Sequence, residues 1–287
     1  MRGSERLTAL ALLLLSVAAA VSGTAEAGAR LAALAGLLAA VLILARTGAR
    51  AGPLGLARDF APVAAVIAIF MLLQPIIVAL NPARYDAVLA AADARWFAPL
   101  VTAWQGALGR PAWFTDLTYA AYWSYYLLPV VVAVAARARR GPAAFERTVF
   151  ALLLAFFLCY LGYFLWPASG PRVPEADEAA VLGGGAVAAA VRAFLRAAEA
   201  TTLDAFPSGH TALAVVPAVL GIRLFPRWAP GLVAWAAAVI FATVYIQVHY
   251  VVDVVAGAAV GLVALALAPG LHRALGGRAD GPSLSER

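Results

Sequence analysis

FPSGHTALAVVPAVLGIRLFPRWAPGLVAWAAAVIFATVYIQVHYVVDVVAGAAVGLVALALAPG, residues 206–270, is the stretch that decides the fold. Three apolar runs follow one another in it, at about 206–224, 230–248 and 250–270, with only short polar breaks between them. Each run approaches the length of about 20 mostly apolar residues that a membrane-spanning helix needs. The stretch therefore predicts three consecutive transmembrane helices.

The same pattern continues towards the N-terminus. Five further apolar runs precede the stretch, at about residues 7–22, 28–45, 60–80, 117–136 and 146–166. The chain is 64% hydrophobic and 13% charged, whereas a soluble domain is about half apolar and about a quarter charged. The sequence predicts an all-α integral membrane protein, a bundle of about eight transmembrane helices in which two N-terminal helices precede a six-helix core.

Three parts are predicted along the chain. They are an N-terminal helical hairpin at 1–58, a six-helix catalytic membrane domain at 59–272 and a cytoplasmic tail at 273–287. Residues 1–27 also resemble a cleavable signal peptide, because a short basic start and an apolar run are followed by Ala25-Glu26-Ala27. We favour a retained first helix over cleavage.

All 21 basic residues are arginine, and most flank the apolar runs. They concentrate in every second loop and after the last run, at Arg46, Arg50 and Arg58, at Arg137, Arg139, Arg140 and Arg147, at Arg223 and Arg227, and at Arg273, Arg278 and Arg287. Because arginine-rich loops stay in the cytoplasm, both termini are predicted to be cytoplasmic. The net charge of +6 therefore indicates topology and no nucleic-acid partner. The lysine-free, alanine-rich composition is typical of a high-GC genome, so we expect a multi-pass bacterial plasma (inner) membrane protein.

Two loops on the opposite, external side are long, residues 81–116 and 167–205. The first mixes aromatic and charged residues, a pattern that suits helices lying at the membrane interface. The second contains a predicted amphipathic helix from Val187 to Ala200. Long loops are often functional, and the candidate chemistry flanks this one, so we expect it to be functional.

Tyrosines near the start of the fourth apolar run have two interpretations. An interfacial aromatic belt is the first, since tyrosine and tryptophan favour that depth of the membrane. Contact with a substrate is the second, by Tyr122 and Tyr126 together with Tyr250. Gly257 and Gly261 form a GxxxG pair, which is typical of close helix packing.

Two of the three histidines fall at the external ends of predicted helices. His210 ends the motif Pro207-Ser208-Gly209-His210, in which proline, serine and glycine precede an apolar run and indicate a helix start. The free N–H groups and positive dipole end of a helix start form an anion site. The alternative is an ordinary N-cap with an incidental histidine.

His249 precedes Asp253 by four residues. On a helix these residues share a face, so the carboxylate would orient the imidazole as in a catalytic triad. A purely structural pair is one alternative, and a metal site of two histidines and one aspartate is another. Pro207-Ser208-Gly209 suits an anion better than a cation, so no metal is predicted. Arg172 lies on the same external side and would add a cation for phosphate.

These motifs resemble the type 2 phosphatidic acid phosphatase superfamily. That family's pattern is Lys-x6-Arg-Pro, then Pro-Ser-Gly-His, then Ser-Arg-x5-His-x3-Asp. The second motif is complete at Pro207–His210, and His249 and Asp253 match the end of the third. The resemblance covers about 167–257 by motif and the last six apolar runs by topology.

Two cations of the pattern are absent. Leu165 occupies the lysine position before Arg172, and Val173 replaces the proline that follows it. Ala242 and Thr243 occupy the Ser-Arg position of the third motif. The result is more similar to the inositolphosphotransferase branch, which includes inositol phosphorylceramide synthase. Fewer cations suit a phosphodiester, which carries less charge than a phosphomonoester.

The resemblance implies a role for each matched residue. His249 would attack phosphorus and form a phosphohistidine, Asp253 would orient it, and His210 would act as general acid and base. The residues implied to bind phosphate oxygens are Arg172, Ser208 and Gly209. No cofactor and no metal are implied.

The expected function is a lipid phosphotransferase or phosphatase at the extracytoplasmic face, with transfer slightly favoured. Its partners would be a phospholipid substrate, a lipid or water acceptor, and the bilayer. One alternative is a phosphatase of phosphatidic acid or polyprenyl diphosphate. An alternative of another class is a non-enzymatic lipid transporter or membrane scaffold.

Overall fold

The computed structural model describes residues 1–49, 52–198 and 201–276, and all the regular secondary structure in them is helical. The α-helices are α1 (Gly3–Val21), α2 (Ala27–Arg46), α3 (Gly52–Leu80), α4 (Asp86–Trp96), α5 (Ala98–Leu108), α6 (Ala112–Trp123), α7 (Leu127–Arg140), α8 (Pro142–Leu165), α9 (Glu178–Leu182), α10 (Ala186–Ala198), α11 (Gly209–Leu224), α12 (Ala229–Tyr245) and α13 (Val251–Ala274). Short 3₁₀ turns join α6 to α7 and precede α12, at Ser124–Tyr126 and Pro226–Trp228.

Eight apolar segments lie where the sequence predicts membrane spans. Seven of those in the described residues have the length and composition to cross a membrane, and α6 with α7 counts as one of them. The eighth, α11, is a shorter apolar helix of 16 residues. The predicted fold class, an all-helical integral membrane bundle, is confirmed.

Several helix boundaries differ from the prediction, and two of the differences concern the domain division and the His249 segment. α3 begins at Gly52 rather than near residue 60, so Arg58 lies inside the helix and the predicted domain boundary between residues 58 and 59 does too. α12 ends at Tyr245 and not at residue 248, which places His249 in the turn before α13. Helix-forming composition alone does not show where a backbone turn interrupts two apolar runs.

Both long loops contain short helices, as predicted. The first loop forms α4 and α5, and the second forms α9 and α10. The predicted helix from Val187 to Ala200 corresponds to α10, although Ala200 lies outside the described residues. Arg50 and residues 277–287 of the predicted tail, with Arg278 and Arg287, also lie outside them.

Helix α8 forms the centre of the bundle and packs against α1, α3, α7, α11 and α13. Most of its side chains are buried in the main apolar cluster. Helices α11 and α13 run antiparallel to α12, so α11 and α13 begin at the end of the bundle where α12 finishes. That end carries His210 and His249, and we call it the site end; the other is the opposite end.

Buried ion pairs hold the opposite end together. Glu5 of α1 pairs with Arg58 of α3 at 2.6 Å between Oε1 and Nε. Asp59 pairs with Arg2 and, at 2.8 Å, with Arg137 of α7. Arg58 and Arg137 are therefore structural partners as well as residues of an arginine-rich end. These contacts tie α1 to the helices that come after it in the chain.

Candidate functional site

The first part of the site is the start of α11. Ser208 is the N-cap, and its Oγ accepts hydrogen bonds from the backbone N–H of Thr211 at 3.2 Å and from the Thr211 hydroxyl at 3.1 Å. The helix start predicted from Pro207-Ser208-Gly209 is confirmed. Because His210 is the second residue of α11, its side chain is held in the first turn, and it is buried.

The second part is the turn between α12 and α13. Backbone N–H groups of Val248 and His249 both donate to the carbonyl of Thr243, at 3.0 and 3.2 Å. Gln247 adopts a left-handed conformation with φ of 57°, which is uncommon for a residue other than glycine and concentrates at functional sites. This turn ends α12 and directs the His249 side chain back towards α11.

Asp253 lies next to His249, but not for the reason the spacing suggests. α13 begins at Val251, so His249 precedes the helix and helical spacing does not account for the contact. Asp253 is instead in the first turn of α13, where its Oδ2 accepts the N–H of Tyr250 at 2.9 Å. The same oxygen lies 3.5 Å from Nδ1 of His249. The helix cap therefore brings the carboxylate to the imidazole.

The two histidines meet directly. Nδ1 of His210 lies 3.2 Å from Nε2 of His249, and the tautomers decide which nitrogen donates. Asp253, His249 and His210 thus form a chain of contacts through both nitrogens of the His249 ring. The chain is almost completely buried, and Asp253 itself is 0% exposed.

Several polar atoms of these three contacting side chains have no hydrogen-bond partner. Across the described ranges these include Nε2 of His210, Nδ1 of His249 and Oδ1 of Asp253. The 3.5 Å approach of Asp253 to His249 is close enough for an ion pair but too long for a good hydrogen bond. Buried polar groups are nearly always paired, so such a concentration indicates a site for a polar ligand.

The predicted phosphate ligand Arg172 lies in the loop between α8 and α9. Its Nη2 donates to Oδ1 of Asp204 at 2.8 Å, and its charge acts electrostatically on His210. Gly170, two residues earlier, has a φ of +78°, and a Cβ there would lie 2.6 Å from the carbonyl oxygen of Val248. Only glycine allows this loop to lie so close to the His249 turn.

Two carboxylates on α4 hold the backbone of both motif segments, and neither is among the residues predicted from the sequence. Oδ1 of Asp86 accepts the N–H groups of Ser169 and Gly170, at 2.8 and 2.9 Å. Oδ1 of Asp93 accepts the N–H of Val252 at 3.0 Å. Since the two aspartates are about two helical turns apart, they share one face of α4. That spacing of acids in an alanine-rich helix is the sequence signal that points to them.

Helices α11 and α13 approach each other closely at the site end. The backbone N–H of Ser208 donates to the carbonyl of Asp253 at 3.0 Å. A Cβ on Gly257 would lie 2.3 Å from the carbonyl oxygen of Ser208, and one on Gly261 would lie 3.3 Å from that of Ala212. The GxxxG pair therefore packs α13 against α11, as predicted, and fixes the spacing of the two histidine segments.

The three tyrosines have different surroundings. Tyr122 is buried and stacks on His210 with ring centroids 4.6 Å apart. Tyr126 lines an apolar cavity that also reaches His210. Tyr250 packs with Leu89 and Phe206 at the start of α13. Burial first, and then the charges of Asp86, Asp253 and Asp93, raise the pKa of the Tyr250 hydroxyl, so it stays protonated at neutral pH.

The apolar cavity has a volume of about 360 Å³ and leads into the bundle from His210. Its lining comes from α3, α7, α8, α10 and α11, with polar groups such as Asp204, Tyr163 and His210 near the start of α11 and aromatic rings such as Phe60 and Phe145 at the far side. From Phe60 to Met71, both in the lining, α3 rises about 16 Å. A hydrocarbon chain fits such a space because few polar groups would be desolvated by it.

The site has the shape of a chain and not of a metal cage. No group of three or more histidine, cysteine, aspartate or glutamate side chains in the described ranges is arranged to hold a metal ion. Asp253 and His210 lie on opposite sides of the His249 ring and do not converge on one point.

A comparison with models of protein families shows which family the chain belongs to. The model of the PAP2 superfamily matches residues 87–267, more than half of the sequence. The chain belongs to the PAP2 superfamily. The match begins in α4 and includes Arg172, His210, His249 and Asp253. No curated protein and no solved structure gives a match. Membership in the PAP2 superfamily indicates a function of the phosphatase or phosphotransferase type in a multi-pass membrane protein.

Proposed function

We propose that this PAP2 superfamily member is a lipid phosphotransferase of the inositolphosphotransferase type, with His249 as nucleophile. The observation that carries the proposal is the chain from Asp253 through His249 to His210, at the polar end of an apolar cavity. A phospholipid combines a phosphate with hydrocarbon chains. Its phosphate would meet the histidines while an acyl chain occupies the cavity.

The first half of the reaction forms a phosphohistidine. Nε2 of His249 attacks phosphorus, the bond from phosphorus to the glycerol oxygen breaks, and His210 gives that oxygen a proton so that diacylglycerol leaves. Asp253 stabilises the positive charge that develops on the His249 ring. In-line attack puts the leaving oxygen on the far side of phosphorus. Nδ1 of His210 and Nε2 of His249, 3.2 Å apart here, must therefore separate when a phosphate lies between them.

The second half regenerates the enzyme. His210 takes the proton from an acceptor hydroxyl, whose oxygen attacks phosphorus and displaces His249. With a lipid alcohol the product is a new phospholipid, and with water it is the free headgroup phosphate. Arg172 and the N–H groups at the start of α11 would bind the phosphate oxygens.

The charges around the histidines support a phosphodiester donor. Arg172 is already paired with Asp204, and Leu165 and Thr243 stand where the family pattern has cations. A phosphomonoester carries about −1.5 to −2 charges at neutral pH. A phosphodiester carries one fewer ionisable proton and needs less compensation.

The location is part of the same proposal. The arginine-rich loops would lie in the cytoplasm, so the site end would face the outside or the periplasm of a bacterial cell. The donor and acceptor lipids would then both come from the outer leaflet of the plasma membrane.

A second candidate is a phosphatase of phosphatidic acid or polyprenyl diphosphate. The complete Pro207-Ser208-Gly209-His210 motif favours it, because that motif also belongs to hydrolytic members of the family. The two candidates share one site and differ in the acceptor.

One assay separates them. The purified protein receives phosphatidylinositol with labelled ceramide or diacylglycerol and, in a parallel reaction, phosphatidic acid, and both new lipid and released phosphate are measured. We expect new lipid from phosphatidylinositol. Free phosphate without new lipid would contradict transfer and support the phosphatase. No turnover of any phospholipid would contradict both and leave a transporter or scaffold.

A further inference from the structure

A carboxylate with no counterpart in the family pattern lies beside the histidines. Asp204 precedes Ser208 by four residues, lines the cavity together with His210, and is 7% exposed in its side chain. It contacts the guanidinium of Arg172 at 2.8 Å. Tyr163 lines the same cavity, and its hydroxyl interacts electrostatically with Asp204.

The pair changes the charge that a substrate meets. Arg172 is a cation whose charge acts on His210. Asp204 cancels that charge at short range, and Asp253 adds a further negative charge next to His249. Interactions between charges are strong where water is excluded, so a difference of one charge on the substrate matters here.

We propose that Asp204 is a specificity-determining residue that sets this site for phosphodiester headgroups and against dianionic phosphomonoesters. It does so by holding Arg172 in an ion pair, so that the guanidinium offers hydrogen bonds to phosphate but little net charge. The proposal rests on the proposed function, since it needs phosphate to bind between Arg172 and the histidines.

A purely structural role for Asp204 makes a different prediction. If the pair only anchored the loop between α8 and α9, loss of the carboxylate would displace Arg172 and slow both classes of substrate equally. Asp204 lines the cavity and also contacts Arg172, so its charge would act directly on a phosphate bound beside His210. Removing the charge alone should therefore change the preference and not only the rate.

The test compares kcat/KM for phosphatidylinositol and phosphatidic acid in the same mixed micelles. The wild-type protein should prefer the diester. In Asp204→Asn, which keeps the shape and an oxygen for Arg172, the ratio of diester to monoester kcat/KM should fall about tenfold, mainly through faster use of phosphatidic acid. Asp204→Glu retains the charge and should retain the preference.

Glu178→Gln is the matched control. Glu178 is an acid of α9 at the same end of the protein and lies 3.5 Å from Arg196 instead of contacting Arg172. Its neutralisation should leave the ratio unchanged, because Glu178 does not line the cavity.

Two results from the Asp204→Asn variant would overturn the assignment of Asp204: an active protein with an unchanged ratio, or one that loses both activities equally. A wild-type preference for phosphatidic acid would also overturn it, whether or not the variant folds. A wild-type protein that uses neither lipid would instead refute the proposed function on which the inference rests.

Discussion

The two ends of the bundle both bury ionisable side chains, but the buried side chains are paired at different distances. At the opposite end, Glu5 and Arg58 make a close ion pair with side-chain exposures of 2% and 9%. At the site end, Asp253 and His249 are equally buried but lie 3.5 Å apart, and each keeps a polar atom without a hydrogen bond. Close ion pairs such as that of Glu5 and Arg58 hold helices together, whereas neighbouring polar atoms without hydrogen bonds are available to a ligand.

The ion pairs of the opposite end fix the relative positions of helices more than they add net stability. Desolvation of a buried ion pair offsets most of its attraction, so an apolar pair of the same size is often as stable. What the pairs provide is a fixed position of α1 against α3 and α7. The opposite end also has polar atoms without hydrogen bonds, Oδ2 of Asp59 and Nε2 of His272. At the site end such atoms belong to three side chains in direct contact, those of His210, His249 and Asp253, so one polar ligand can reach them together.

The largest expected effect comes from removing His249, and the loss of a buried histidine at the opposite end is its control. In His249→Ala, lipid turnover should fall at least about a thousandfold, because the proposed nucleophile is lost while the packing around a small buried ring changes little. Product formation from labelled phospholipid, normalised to folded protein by gel filtration, measures this.

His272→Ala is the control at the opposite end. His272 is also buried, and its Nε2 lies 3.6 Å from Oε1 of Glu146. We expect a lower thermal midpoint and near-normal turnover per folded molecule. Turnover that survives in His249→Ala, or disappears in His272→Ala with the fold intact, would reverse the proposed division between the two ends.

The next effect in size is on stability. Arg58→Ala leaves Glu5 buried without its cation, and removing one partner of a buried pair typically costs about 3–5 kcal/mol. The midpoint of thermal unfolding in detergent should therefore fall markedly. Replacing both residues, Glu5→Leu with Arg58→Met, should recover most of the loss because no charge remains unpaired.

The same two variants also report on the site end. Turnover per folded molecule should stay close to the wild-type value in both, since the ion pair is at the far end of the bundle. A double variant less stable than Arg58→Ala would show that the ion pair itself is strongly stabilising. The claim that it mainly positions the helices would then be wrong.

Local sequence was sufficient for one half of the site and only partly for the other. The start of α11 could be predicted because an N-cap is decided by adjacent residues, and Ser208 caps the helix as its motif indicates. The proximity of His249 to Asp253 was also predictable, but the assumed helix was not there. A turn at Gln247 separates the two helices although the residues around it are apolar, so the hydrophobic pattern does not show the turn.

Contacts between distant parts of the chain were beyond the sequence. Asp93 and Val252 are 159 positions apart, and Arg172 and Asp204 are separated by 32. Nothing in periodicity or spacing shows which aspartate will meet which backbone amide. The arginines illustrate the same limit, since Arg58 fits an orientation signal in sequence and forms a buried ion pair in the structure.

The smallest expected effect tests how far α4 supports the site end. Asp93→Ala removes the acceptor for the Val252 N–H at the start of α13, so the His249 turn should become less ordered and kcat should fall about tenfold, while KM changes little. Asp93→Asn keeps an oxygen in place and should restore most of the rate. Initial rates across lipid concentrations, with thermal midpoints for each variant, provide the measurement. A large fall in midpoint with unchanged kcat would show that Asp93 has a structural role like that of the ion pairs at the opposite end. A fall in kcat at nearly constant midpoint would show that Asp93, whose carboxylate holds the start of α13, positions the His249 turn for catalysis.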